Sequence, residues 1–152
     1  MPTFTTTSET NASPNETFAF IIDLDQWPLF EGFAMIPAIV RAEREDTDPI
    51  GVGTRIEVTN SDGSVHHERI TVFEPGTAYC IEMELTPPVS YVMETIIETV
   101  RLDTTEGGGT RLVRTFDLRP RSILSAPVAW LVSRFLHRAV RNHNAAVAAK
   151  LG

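Results

Sequence analysis

A chain of 152 residues can bury a core of its own, covering roughly 70% of the surface its unfolded form exposes, without help from metals or disulfides. Hydrophobic residues at 42% and charged residues at 22% exclude a disordered tail or a collagen-like repeat, and the lone cysteine, Cys80, excludes an internal disulfide framework or a cysteine-rich zinc site. A net charge of −7 argues against a protein whose main task is gripping nucleic acid or an anionic membrane through bulk electrostatics.

The first eleven residues are polar and threonine-rich, with no basic stretch leading into an apolar one, so no secretory signal is expected. No apolar run approaches the roughly 20 residues of a membrane-spanning helix. A cytoplasmic location is the resulting expectation. The first predicted element is a strand over Phe4–Glu9. Ser13-Pro14-Asn15-Glu16 then predicts a helix start, with Ser13 as N-cap, Pro14 at the first helical position and Glu16 placed to complete a capping box. That helix should run to about Ile22 and bury Phe18, Ile21 and Ile22. A second short helix should begin near Asp25, carry Trp27, Pro28, Leu29 and Phe30, and be ended by Gly32.

From residue 39 to 119 the pattern changes to strands: Ile39–Glu45, Thr54–Asn60, Val65–Glu74, Ala78–Thr86, Tyr91–Asp103 and Arg111–Arg119. Short turn signals separate them, among them Ser61-Asp62-Gly63, Pro75-Gly76 and Gly107-Gly108-Gly109, so neighbours should pair as antiparallel hairpins. The last segment predicts a helix from an N-cap at Ser125, with Pro127 in its first turn, to Lys150. Val128, Leu131, Val132, Phe135, Ala139, Asn142 and Ala146 recur on it at spacings of three and four, with Arg134, Arg138 and Arg141 largely on the other side. About 25 residues give roughly 37 Å of helix, enough to cross the whole sheet. Residues 111–152 hold eight basic residues against one acid, a net of +7, which leaves −14 for residues 1–110. A basic amphipathic helix can serve a membrane or a partner. The simpler expectation is that the basic segment lies across the acidic strands of the same domain.

This order of elements resembles the helix-grip fold of the START-like polyketide cyclase (SRPBCC) superfamily: α+β, with a curved antiparallel sheet of about seven strands wrapped around a long C-terminal helix. The resemblance spans nearly the full chain, read as one domain. It is carried by Ser13-Pro14 followed by Phe18, Asp25-Gln26-Trp27-Pro28, Gly51-Val52-Gly53-Thr54, Phe73-Glu74-Pro75-Gly76, Gly108-Gly109-Thr110-Arg111-Leu112 and the terminal helix. These are turn and packing features rather than a catalytic signature. The resemblance implies an apolar cavity between sheet and helix, used for polyketides, lipids and other hydrophobic small molecules.

Alternation decides which side chains face that cavity. A three-residue Ser61-Asp62-Gly63 loop pairs Asn60 with Ser64, Val58 with His66, Ile56 with Glu68 and Thr54 with Ile70. His66 and Glu68 then share the inner face with Ile56, Val58, Ile70 and Val72; a two-residue turn would instead bring His67 and Arg69 inward. Tyr79, Ile81, Met83 and Leu85 form one apolar face, with Glu82 and Glu84 opposite. On the sixth strand a single period puts Glu94 and Glu98 inward, within reach of Arg114. A bulge near Glu98 instead turns Tyr91, Met93, Thr95 and Ile97 inward and leaves both acids on the surface, and this is preferred because unpaired buried carboxylates are expensive. Arg114 alternates with Leu112, Phe116 and Leu118, so it should face a ligand's anionic group or an inward acid such as Glu68.

A metal site is not expected. His66 and His67 point to opposite faces of a strand, and His137 and His143 lie six apart on a helix. Cys80 has no evident base partner, and no nucleic-acid module or cofactor loop is present. The leading expectation is a hydrophobic-ligand-binding domain without cofactor, monomeric or homodimeric, walled by Trp27, Phe30, Tyr79, Met83, Tyr91, Phe116 and Phe135. As a cyclase or dehydratase it would use His66 as general acid or base, Glu68 to orient it and Arg114 as oxyanion partner. The alternatives are a non-catalytic carrier or sensor, and an interaction module using the basic helix.

Overall fold

Seven antiparallel strands form one sheet: β1 (Thr3–Thr10), β2 (Ile39–Arg44), β3 (Arg55–Asn60), β4 (Val65–Glu74), β5 (Ala78–Glu84), β6 (Met93–Thr104) and β7 (Thr110–Pro120). They are seen in a computed structural model that describes residues 2–152. β2 to β7 run as a meander and β1 pairs with β7, so β1 and β2 are the two edges. The connection between those edges is helix α1 (Pro14–Ile22) and a 3-10 helix, Leu24–Leu29, laid across the concave face. Helix α2 (Ala126–Leu151) follows β7. Its 26 residues make about 39 Å of helix. This is the expected helix-grip arrangement, a curved sheet closed around one long helix.

The curvature has a local cause. Pairing registers slip by one residue in β2 between Ile39 and Arg41, in β4 between Ile70 and Val72, and in β6 between Met93 and Thr95. Each slip bends its strand and increases the twist. The Asn60–Ser64 hairpin has Gly63 at φ +86°, and Val58 pairs with His66 and Ile56 with Glu68, as the three-residue loop requires. The slip in β4 reverses the alternation beyond Ile70. Val72 therefore points outward, against expectation, and Phe73 turns in to pack edge-on against Phe18 at 5.4 Å.

α1 begins at Ser13, whose Oγ accepts from the Glu16 N–H at 3.2 Å. Its inner face buries Thr17, Phe18 and Ile22. Thr17 is anchored by a hydroxyl cluster in which Thr10 lies 3.0 Å from Thr17 and Thr110 donates to the Ala12 carbonyl at 2.8 Å, joining α1 to β1 and β7.

Three expectations need correction. Ser125 does not cap α2 through its side chain; a 3-10 turn, Ile123–Ser125, leads into the helix. The buried face of α2 is Ala129, Ser133, Leu136, Ala139, Val140, Asn144 and Val147, about one residue round from the stripe predicted, and Val128, Leu131 and Asn142 are exposed. Ala139 belongs to both stripes, and small Ala129 and Ser133, which the predicted stripe leaves out, let the helix approach the sheet closely. In β6 the bulge lies at Glu94, four residues before the expected place, so Glu94 is exposed but Glu98 is buried on the concave face.

The charge segregation is also not resolved inside the molecule. Of the eight basic residues after position 110, only Arg111 and Arg114 reach a carboxylate among the described residues, Glu9 at 3.3 Å and Glu98 at 2.7 Å. Arg134, Arg138 and Arg141 stay on the solvent face of α2.

Candidate functional site: a cavity with two polar clusters

Between the sheet, the 3-10 helix and α2 lies a cavity of about 330 Å³. That falls at the lower end of small-molecule pockets. Its walls are chiefly apolar. Trp27 and Phe30 come from the 3-10 helix and its end, Tyr79 and Met83 from β5, Ile96 from β6, Leu112 and Phe116 from β7, and Leu136 and Val147 from α2. Trp27 is fixed by donating Nε1–H to the Ile21 carbonyl at 3.1 Å. Beyond it Gly32, at φ +74°, turns the chain so tightly that a Cβ there would strike the Ile36 and Pro37 carbonyls, and this turn sets Met35–Pro37 at the cavity mouth. Two residues expected in the walls are not among its lining: Tyr91 precedes β6 on the surface, and Phe135, on the flank of α2, packs against Phe33 at 6.2 Å. Tyr91 falls in a 3-10 turn, Val89–Tyr91, rather than in the strand expected there, and the shifted phase of α2 moves Phe135 off the concave face.

Two polar clusters interrupt the apolar wall. The first is on β3 and β4. Asn60 donates Nδ2–H to His66 Nδ1 at 2.9 Å, so the imidazole proton sits on Nε2 and is donated to Glu68 Oε2 at 2.8 Å. Both ring nitrogens of His66 are thereby occupied. Glu68 is 4% exposed and lines the cavity, with one carboxylate oxygen held by His66.

The second cluster joins β6, β7 and α2. Arg114 donates from Nε to Glu98 Oε2 at 2.7 Å and from Nη1 to His143 Nδ1 at 2.8 Å and Asn144 Oδ1 at 2.9 Å. Asn144 in turn donates to Thr6 Oγ1 at 3.0 Å. Arginine only donates, so Nδ1 of His143 accepts and its proton lies on Nε2. Burial, reinforced by the adjacent guanidinium, pushes the His143 pKa down to about 3. The ring is therefore neutral at pH 7. Glu98 is pulled two ways: burial raises its pKa, and the Arg114 charge and hydrogen bond oppose the rise. Burial, with the Glu98 carboxylate nearby, holds the Tyr79 hydroxyl protonated well above its ordinary range. Nη2 of Arg114, Nε2 of His143 and the Tyr79 hydroxyl are thus N–H and O–H donors on residues that line the cavity. Glu68 and Glu98 lie two strands apart on the same face, about 10 Å in the hydrogen-bonding direction.

The inward orientation of His66, Glu68 and Arg114 follows from alternation and is what the structure has. Glu98 was weighed as an inward partner of Arg114 but set aside for the bulge, and His143 and Asn144 were missed. The signal for these two helix residues is the stripe Leu136, Val140, Val147, into which positions 143 and 144 fall at helical spacing, together with the inward arginine that demands acceptors.

The curved sheet, the enclosed helix and the ligand-sized cavity define a helix-grip protein. Residues 1–152 match the family described as polyketide cyclase / dehydrase and lipid transport, and the chain belongs to it. It is thus an SRPBCC-type protein of a hydrophobic-ligand-binding family. A comparison with curated proteins gave no match. Among solved structures, it superposes on the di-domain ARO/CYC BexL from the BE-7585A biosynthetic pathway with a TM-score of 0.74 at 14% identity, over 98% of this chain and 46% of that one. XoxI from Bacillus cereus gives 0.72 at 18% identity over 99% and 96%, and Ara h 8.0201 gives 0.69 at 18% over 97% and 98%. At these identities the likeness is one of fold. Among the described residues no helix is long and apolar enough to cross a membrane.

Proposed function

We propose that the protein takes up an apolar small molecule bearing a carbonyl or phenolic oxygen and promotes cyclisation or dehydration of a polyketide-like substrate by moving a proton next to that oxygen. The observation that carries this reading is the pairing, in one apolar cavity, of a carboxylate on one wall with a cluster of fixed donors on another. Arg114, neutral His143 and the Tyr79 hydroxyl would hold the substrate oxygen as negative charge develops on it, in a dry site where such donors act strongly. The base would be Glu68 rather than His66, because both nitrogens of His66 are already engaged while Glu68 keeps a free oxygen. His66, held by Asn60, would position that carboxylate. The proton that Glu68 takes from carbon returns to the alkoxide formed as the C–C bond closes, and a second proton taken from the same carbon goes to the hydroxyl as it leaves as water, so aldol closure and dehydration balance without a cofactor.

The family description and the likeness to the di-domain ARO/CYC BexL support the substrate class. A non-catalytic carrier is the second reading, favoured by the hydrogen bonds that already engage His66 with Asn60 and Glu68, and Glu98 and Asn144 with Arg114. A linear poly-β-ketone thioester, followed by absorbance of the cyclised product, separates the two. Glu68→Gln should lower kcat by about 100-fold or more with affinity retained, and His66→Asn should lower it less. Wild-type protein that binds the thioester without converting it would leave the carrier reading.

A further inference from the structure

The cavity mouth lies between three segments: the loop 31–38, the loop 85–92 and the stretch after β7 that runs through the 3-10 turn into the first turns of α2, which contribute Met35 to Pro37, Leu85 to Val89 and Val132 to its lining. Each segment also carries apolar side chains out into solvent. Phe33 and Met35 project from the first, Val89 and Tyr91 from the second, and Ile123, Leu124, Val128, Trp130 and Leu131 from the third. Ile123 and Leu124 are 88% exposed, Tyr91 71% and Trp130 60%. The three segments are tied together. Arg121 donates its backbone N–H to the Val92 carbonyl at 2.9 Å and Nε–H to the Ser90 carbonyl at 2.8 Å, while Phe33 packs on Phe135 and lies under the Arg138 guanidinium at 5.5 Å. The result is an apolar collar around the opening, larger than the scattered single residues an ordinary surface shows.

The charge on the collar's own segments is mostly positive, although Asp62, in the hairpin that Ser61 ties to Ala38, also lines the cavity. The only acid in its three segments is Glu31, and from residue 118 to the end there is none, while Arg121, Arg134 and Arg138 flank the apolar side chains with no carboxylate partner among the described residues. Exposed aliphatic residues on a tight turn, a tryptophan beside them and arginines around them match the headgroup boundary of an anionic bilayer in both polarity and sign. The acidic remainder of the chain would orient this end, and no other, toward such a surface.

We propose that the collar is a docking surface for an anionic lipid bilayer, set so that the cavity's apolar ligand passes between bilayer and cavity without crossing water. The passage of ligand rests on the ligand-binding reading above; the docking itself does not.

Co-sedimentation with vesicles of phosphatidylcholine, with and without phosphatidylglycerol, tests it. The wild type should bind the anionic vesicles and weaken as salt rises. Loss of Arg121, Arg134 and Arg138 together should weaken binding about a hundredfold, at about fivefold for each arginine. Ile123→Ser with Leu124→Ser, at positions too exposed to matter for folding, should weaken it at least about tenfold. Absence of binding to anionic vesicles at low salt overturns the proposal, and so does binding that neither set of changes weakens. A concentration-dependent dimer in sedimentation velocity that the Ile123→Ser, Leu124→Ser change abolishes also overturns it, by making a second copy the occupant of the collar. Uptake of naphthol, read by its fluorescence in the same samples, keeps the two ideas apart: naphthol binding without vesicle binding removes only the docking surface, and vesicle binding without naphthol uptake removes only the ligand.

Discussion

Arg114 has three partners and sits 8% exposed in an apolar wall, so its loss does more than delete a charge. Arg114→Met leaves Glu98 buried with no cation and strips His143 and Asn144 of their donor. We expect it to destabilise the protein by about 3–5 kcal/mol in urea denaturation at pH 7, with Arg114→Met/Glu98→Met recovering most of that loss. Equal stability of the single and double variants would contradict a paired ion. His143 gives a pH signature. Its folded pKa, about 3, lies below the ordinary histidine value of 6.5, so the unfolded chain binds the extra proton first and stability falls as pH drops from 6.5 toward 3. Glu98 works in the opposite sense: its raised folded pKa makes its contribution largest below its ordinary value and diminishes it as pH rises. The stability difference between wild type and His143→Gln isolates the first effect. It should shrink as the medium is acidified through that window, and a difference independent of pH would contradict a buried neutral imidazole. At this scale the inward orientation of Arg114 was legible from alternation alone. What satisfies it was not, because its acceptors come from two other elements whose phases had to be known first.

Most elements were legible because their signals are local. Ser13-Pro14, the hairpin loop with Gly63 and the alternation of β5 each depend on a few neighbouring residues. The errors arose where an element's phase depends on what it packs against. β6 carries its bulge at Glu94 because Glu98 has a cation waiting on β7, and an argument that prices a buried carboxylate without its partner chooses the wrong face. On α2 the bulky residues Val128, Leu131 and Trp130 lie outside, while small ones face the sheet. Substitution distinguishes the two phases. Leu136→Ala should cost about 2–5 kcal/mol and enlarge the cavity, whereas Leu131→Ala should stay within about 0.5 kcal/mol, both read by chemical denaturation. The reverse order would restore the sequence-derived stripe.

For the whole molecule, the −14 body and +7 tail looked like two halves that neutralise each other. In the folded chain their side chains pack together but their charges seldom pair: most acids that form ion pairs do so with cations of the same segment, as Glu45 and Glu84 do with Arg55, and the arginines of α2 are left facing out. Composition showed the asymmetry but could not show its direction in space, since that depends on which face of one helix the sheet encloses. The same enclosure makes the cavity, and the account as a whole rests on that cavity accepting an apolar molecule whose oxygen meets Arg114 and His143. NMR titration with naphthol, and with methylnaphthalene as a partner of similar shape lacking the oxygen, tests this most directly. Both should shift resonances of Trp27, Met83 and Leu136. Naphthol should bind about tenfold more tightly and move the side-chain Nε2–H signal of His143. Shifts confined to surface residues, or a His143 signal indifferent to naphthol, would contradict it.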